Sequence, residues 1–129
     1  MRPVRIALVL AAAAGALTCG SEPTAGELVG SLETQRTDAE AVRFVIHATP
    51  PNEVESVTAA CNQCQIHQSL DGPNELRGIV VGSIGAGPAF RALVNDIDAV
   101  SGYQVEVIEV ADGAYVLLPI GDFRITMGR

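Results

Sequence analysis

The residues best equipped for chemistry lie in one short run, Cys61-Asn62-Gln63-Cys64-Gln65-Ile66-His67. Two thiols three positions apart support four kinds of chemistry. In an oxidising compartment Cys61 and Cys64 close a small structural disulfide, which is the expectation adopted here. A loop that short removes little chain entropy, so its contribution is local stiffness rather than global stability. A redox-active pair needs the first Cys at a helix start that follows a strand, where the helix dipole lowers the thiol pKa, and the sequence offers no such helix. A zinc site is the alternative, with Cys61, Cys64 and His67 as ligands and His47 as a fourth from another strand. Haem attachment needs His directly after the second Cys, and that position is Gln65.

Other chemistry is harder to place. Gly82-Ser83-Ile84-Gly85-Ala86-Gly87 is rich in glycine but lacks the basic residue of a phosphate-binding loop, so a turn between strands is expected. No nucleophile elbow or paired-histidine metal motif occurs. The expected catalytic set is therefore none, and the expected cofactor is none, with zinc as the alternative.

These residues need elements to hold them, and the pattern is that of strands. Val42, Phe44, Ile46 and Ala48 alternate with Arg43, Val45 and His47. That is the period of a strand with one buried and one wet face. Leu28–Thr34, Val54–Ala60 and Glu75–Ile84 read as further strands, the last carrying a continuous Ile79-Val80-Val81 run suited to a central position. Over 89–100 either a helix or a short strand followed by a turn fits, and the strand is preferred because its neighbours are strands. Tyr103–Val110 alternates until Val107 and Ile108 fall side by side, a slip that marks a bulge or a strand buried on both faces. Asp112-Gly113 then turns the chain into Ala114–Leu118, and Pro119–Asp122 turns it again into Phe123–Met127. These last three strands read as an antiparallel meander.

The 129-residue chain has 48% hydrophobic residues but no Trp and only 4% aromatics. A core made of Val, Ile, Leu and Ala suits a thin sandwich of sheets. There are 15 acidic residues against 8 basic ones, a formal charge of −7. Such a surface repels phosphate backbones, so no nucleic-acid partner is expected.

The N-terminus reads as an address. Arg2 and Arg5 precede an unbroken run of apolar residues and Gly from Ile6 to Leu17, the layout of an export signal, and the run is short for a membrane-spanning helix. Cys19 follows directly, then Gly20-Ser21-Glu22-Pro23-Thr24-Ala25-Gly26. This arrangement resembles a bacterial lipoprotein signal, which implies that Cys19 is lipidated and becomes the first residue. The chain departs from that pattern with Ala16 and Thr18 at the two preferred positions, so a plain cut after Ala14 or Ala16 is the alternative. The expected organisation is a signal peptide at 1–18, a tether at 19–26 and one domain at 27–129. Loss of the signal takes two arginines with it and leaves 6 Arg against 15 acids, a charge of −9.

Seven or eight short strands at close intervals predict an all-β, antiparallel sandwich of the immunoglobulin or cohesin kind. With the run from Gly102-Tyr103 through VEVIEVADGAYVLLPIGDFRITM, the layout resembles small bacterial lipoproteins that carry one such domain on a tether. That resemblance implies a non-enzymatic, exported module at the cell envelope, held to the outer membrane, periplasm or cell surface through Cys19. A protein partner there would be met by a strand edge or by the loops at one end. No motif for the dockerin partner of cohesins is present, and no site residues carry over.

Overall fold

The structure, a computed structural model, describes residues 22–129. The export signal and Cys19 lie outside the described residues. Nine strands follow in order: β1 (Gly26–Glu33), β2 (Ala39–Ala48), β3 (Val54–Ala59), β4 (Gln65–Leu70), β5 (Glu75–Ile84), β6 (Gly87–Val94), β7 (Tyr103–Ala111), β8 (Leu117–Leu118) and β9 (Arg124–Gly128). Two short 3₁₀ turns, Val100–Gly102 and Ile120–Asp122, are the only helical pieces among the described residues.

These strands form two antiparallel sheets, β3-β6-β1-β9 and β4-β5-β2-β7-β8. The chain is the β-sandwich that its alternation predicts. Its wiring is nested: β1 pairs with β9, β2 with β7, β3 with β6 and β4 with β5. Among successive strands only β4–β5 and β7–β8 are neighbours in one sheet. The expected terminal meander is therefore corrected. β9 does not pair with β8. It crosses to the other sheet and pairs with β1, Leu32 opposite Ile125 and Gly30 opposite Met127. Pro119 cannot donate to a ladder, and the Ile120–Asp122 turn after it carries the chain across. Ile125 is then buried beside Leu32 on the inner face of the four-stranded sheet.

Side-chain parity sets the two faces. On β2, Val42, Phe44, Ile46 and Ala48 point inward at 4% exposure or less, as the alternation requires. Opposite them, Leu28, Leu32, Phe90, Ala92 and Val94 close the interior from the other sheet. The slip at Val107-Ile108 is a bulge: Arg43 faces Glu109 and Phe44 faces Val107, so Ile108 is the extra residue. The 89–100 segment is strand β6 to Val94, then a turn.

The centre of the sandwich is a stacked pair of rings. Phe44 and Phe90, one from each sheet, lie with centroids 4.4 Å apart and planes 8° from parallel. Each ring covers a glycine directly across its own sheet, Phe44 over Gly78 and Phe90 over Gly30. A Cβ at either glycine would overlap the ring. Glycine here supplies flat backbone for an aromatic to lie on, a known way of keeping Gly in a strand interior.

The end where the chain enters is tied by polar contacts. Ile97 N donates to Thr24 O at 2.8 Å. Asn95 Oδ1 accepts from Glu53 N at 2.7 Å and from the Tyr103 hydroxyl at 3.0 Å, and Asn95 Nδ2 donates to Pro51 O. The Tyr103 oxygen also accepts from Asp96 N at 3.2 Å. Burial pushes the Tyr103 phenol above its ordinary value, partly offset by that amide.

Two predictions follow from this packing. Gly30→Ala or Gly78→Ala should destabilise the domain by about 1–3 kcal/mol through overpacking, with part of the Gly30→Ala loss recovered by adding Phe90→Leu. Urea unfolding measures both, and a neutral Gly30→Ala would show that the ring does not constrain the backbone. Tyr103→Phe should cost about 1–2 kcal/mol at neutral pH by leaving the Asn95 and Asp96 groups short of a partner. A phenol raised in the folded chain contributes stability fully present below its unfolded pKa of about 10 and lost as pH rises through the folded value. The gap between wild type and Tyr103→Phe should therefore narrow in unfolding experiments run above about pH 10.

Candidate functional surfaces

The Cys61–Cys64 run forms the crossing from β3 to β4. The two sulfurs are bonded at 2.02 Å, with Cα atoms 5.5 Å apart. Both cysteines are half-buried against the core edge. The crossing is admitted by Gly82 on β5, whose φ is +141° and where a Cβ would stand 2.9 Å from Gln63 O and 3.1 Å from Cys64 Cα. Ala60 N donates to Ala89 O at 3.0 Å and fastens the start of the crossing to β6.

The same geometry scatters the zinc set. On β4, Ile66 and Gln68 share the inward side with Cys64, so His67, an odd number of residues away, is on the wet face. His67 lies across from Ile79, whereas His47 lies across from Glu75 on the other side of β5. Two strand spacings and four residues separate the imidazoles, about 16 Å by sheet geometry. His47 Nε2 is instead 3.2 Å from Glu106 Oε2. Among the described residues no group of three or more His, Cys, Asp or Glu is placed to hold a metal ion.

The wet face of the five-stranded sheet is a ladder of exposed ion pairs. Arg43 meets Glu109 at 3.0 Å and Arg77 meets Glu75 at 3.8 Å, and the His47 ring shares a hydrogen bond with Glu106 between β2 and β7. Pairs this exposed are each worth under about 1 kcal/mol. They keep the face solvated, and the shallow depressions between Arg43, His67, Arg77 and Ile79 are open to water. Gln68 does a different job: its Oε1 accepts from Val57 N at 2.6 Å, bridging the sheets and occupying an amide on edge strand β3.

Leu70, Val81 and Leu93 are exposed singly, whereas four large apolar residues are exposed together at the end opposite the chain entry, between β7 and β9. Ala114–Leu118, expected to be a strand, is mostly a tight turn, and only Leu117 and Leu118 pair, with Ala111 and Val110. Asp112 wins the competition for the backbone, as Asx side chains do in turns. Its Oδ1 accepts from Ala114 N at 2.9 Å and Val116 N at 3.0 Å. Its own N–H donates to Val116 O, and its carbonyl accepts from Tyr115 N. Tyr115 is held at φ +63°, a region costly for a bulky side chain. The result is an ordered projection with Tyr115 93% exposed, Leu117 66%, Val116 56% and Ile120 52%. Leu118 and Phe123 are buried on either side of Ile120 and anchor it.

Carboxylates surround this projection. Asp112 and Asp122 bound it, and the Glu40 side chain lies beside Gly113. Arg36 joins Asp122 at 3.2 Å and Asp38 at 2.8 Å, tying the β1–β2 loop to the Ile120–Asp122 turn. The Arg36 hydrogen bonds hold the Asp38 carboxyl below the usual range. Four carboxylates against one guanidinium give the rim a net charge of −3.

Of the residues singled out by sequence, Cys61 and Cys64 come together and His67 and His47 do not join them. The projection was missed, although Asp112 two and four residues before Ala114 and Val116 is the spacing of an Asx turn. The chain matches no protein-family model, no curated protein and no solved structure.

Replacing Cys61 and Cys64 together with Ser should leave the fold intact, with a loss below about 2 kcal/mol for a loop this short. Intact mass before and after reduction should differ by two hydrogens in the wild type alone. Collapse of the circular dichroism spectrum on the double change would contradict a merely local clip.

Proposed function

We propose that this chain is an exported, non-enzymatic accessory module of the bacterial envelope, tethered through lipidated Cys19 and engaging a protein partner through one end of its sandwich. The single observation that carries the reading is the ordered apolar projection at Tyr115–Leu117 and Ile120. Soluble domains rarely keep several large apolar side chains exposed on one ordered feature unless something docks there. A disulfide between Cys61 and Cys64 fits an oxidising compartment.

Intact-mass analysis of protein from native membranes should find a diacylglycerol increment on the peptide starting at Cys19, and Cys19→Ala should move the chain to the soluble fraction. Chemical cross-linking of intact cells should give a discrete adduct heavier than the monomer. Plain cleavage at Ala16 would remove the tether from the reading, and a chain that stays monomeric after cross-linking would remove the partner.

A further inference from the structure

The projection is built for more than exposure, and its surroundings specify what fits it. From Gly113 to Gly121 there is no charged side chain. Tyr115 occupies a backbone position that Asn or Gly would fill without strain. Nothing in the fold explains a bulky aromatic there: its side chain is almost wholly in solvent. The turn beneath is fixed by four hydrogen bonds centred on Asp112, so the side chains are presented at little ordering cost on binding.

Three occupants compete for such a projection. An anionic lipid surface would meet the acidic rim and the −9 charge of the remaining chain, both repulsive. The chain also enters the sandwich at the other end, where Thr24 bonds Ile97, so a membrane tether there leaves the projection facing away. A second copy docking projection to projection would bring two rims of −3 face to face. A protein pocket with an apolar floor and Lys or Arg around its mouth meets both the apolar tip and the acidic rim.

We propose that the Tyr115–Ile120 projection inserts into an apolar pocket of a partner protein whose mouth is lined by basic residues. This rests on the interaction-module reading and adds the partner's chemistry. Tyr115 and Leu117 fill the pocket, and Glu40 and the Arg36–Asp38–Asp122 cluster face its basic rim.

The test places the photo-cross-linking residue p-benzoylphenylalanine at position 115 of the full chain in its native cells, with the same residue at Gln104, exposed on β7 at the entry end, as control. Expected is capture of one protein at 115 and not at 104, through a peptide that contains Lys or Arg among apolar residues. Glu40→Arg, with its melting temperature unchanged, should lower that capture by at least about tenfold, as like charges brought together at an interface do. With a heterobifunctional cross-linker in place of the photoprobe, Tyr115→Asn should melt at the same or a higher temperature and lose the adduct, which a residue kept for folding would not do. Capture of lipid or of the chain's own copy at 115 overturns the proposal, as does capture insensitive to Glu40→Arg. Capture at 104 alone overturns it while leaving the interaction-module reading standing. No adduct at any position removes both.

Discussion

Two phenyl rings meeting at the midplane fix where each sheet sits. A sandwich made of Val, Ile, Leu and Ala has few side chains long enough to span the gap between sheets about 10 Å apart. Phe44 and Phe90 span it together, 4.4 Å between centroids. Each can lie flat only because the residue beside it is Gly78 or Gly30. The pairing therefore sets register as well as spacing. A slip of one residue between β1 and β6 would lay Phe90 over Val29 or Ser31, and a slip in β2 would turn Arg43 inward. Both are costly, so the buried faces and the stack specify the same alignment.

That coupling explains which parts of the fold can be read from the chain. Parity is a local property, and the inward set on β2 follows from alternation alone; the slip at Val107-Ile108 leaves a bulge or a doubly buried strand open, and β6 needs its strand neighbours to be preferred over a helix. Sheet membership is not local. β8 and β9 are close in sequence and separated by turn residues, which is what a hairpin looks like. The crossing is decided by Ile125, which gains burial beside Leu32 of β1, by Phe123, which is buried just before β9, and by Pro119, which has no amide to extend β8. The glycines at 30 and 78 were unreadable for a related reason: each reads as a weak strand residue until the ring that covers it is known.

The surfaces divide in the same way. Cys61 and Cys64 are near in sequence and are joined, because three residues suffice to close that loop. His67 is just as near to Cys64, yet strand parity turns it to the opposite face, and His47 is held two strands away. Proximity in sequence predicts proximity in space only when the backbone between is not extended. Tyr115-Val116-Leu117 deceived in the other direction. Aromatic and β-branched residues in a row read as a strand, but Asp112 offers the Ala114 and Val116 amides its carboxylate and the Tyr115 amide its carbonyl, closer acceptors than a neighbouring strand, and a strand of two residues is what remains.

The position of that turn matters as much as its composition. β2 runs the length of the sandwich, about 30 Å at strand rise, with Ala48 at the end where Thr24 docks and Ala41 opposite Ala111 at the end where the projection stands. The chain enters at one end and presents its exposed apolar residues at the other. Between them β2 is paired along its length with β5 and β7, and the entry end is clipped by Asn95 and Tyr103. Strain at Tyr115 is affordable in such a frame because Leu118 and Phe123 are buried just beyond it: the turn cannot relax inward without pulling core residues out.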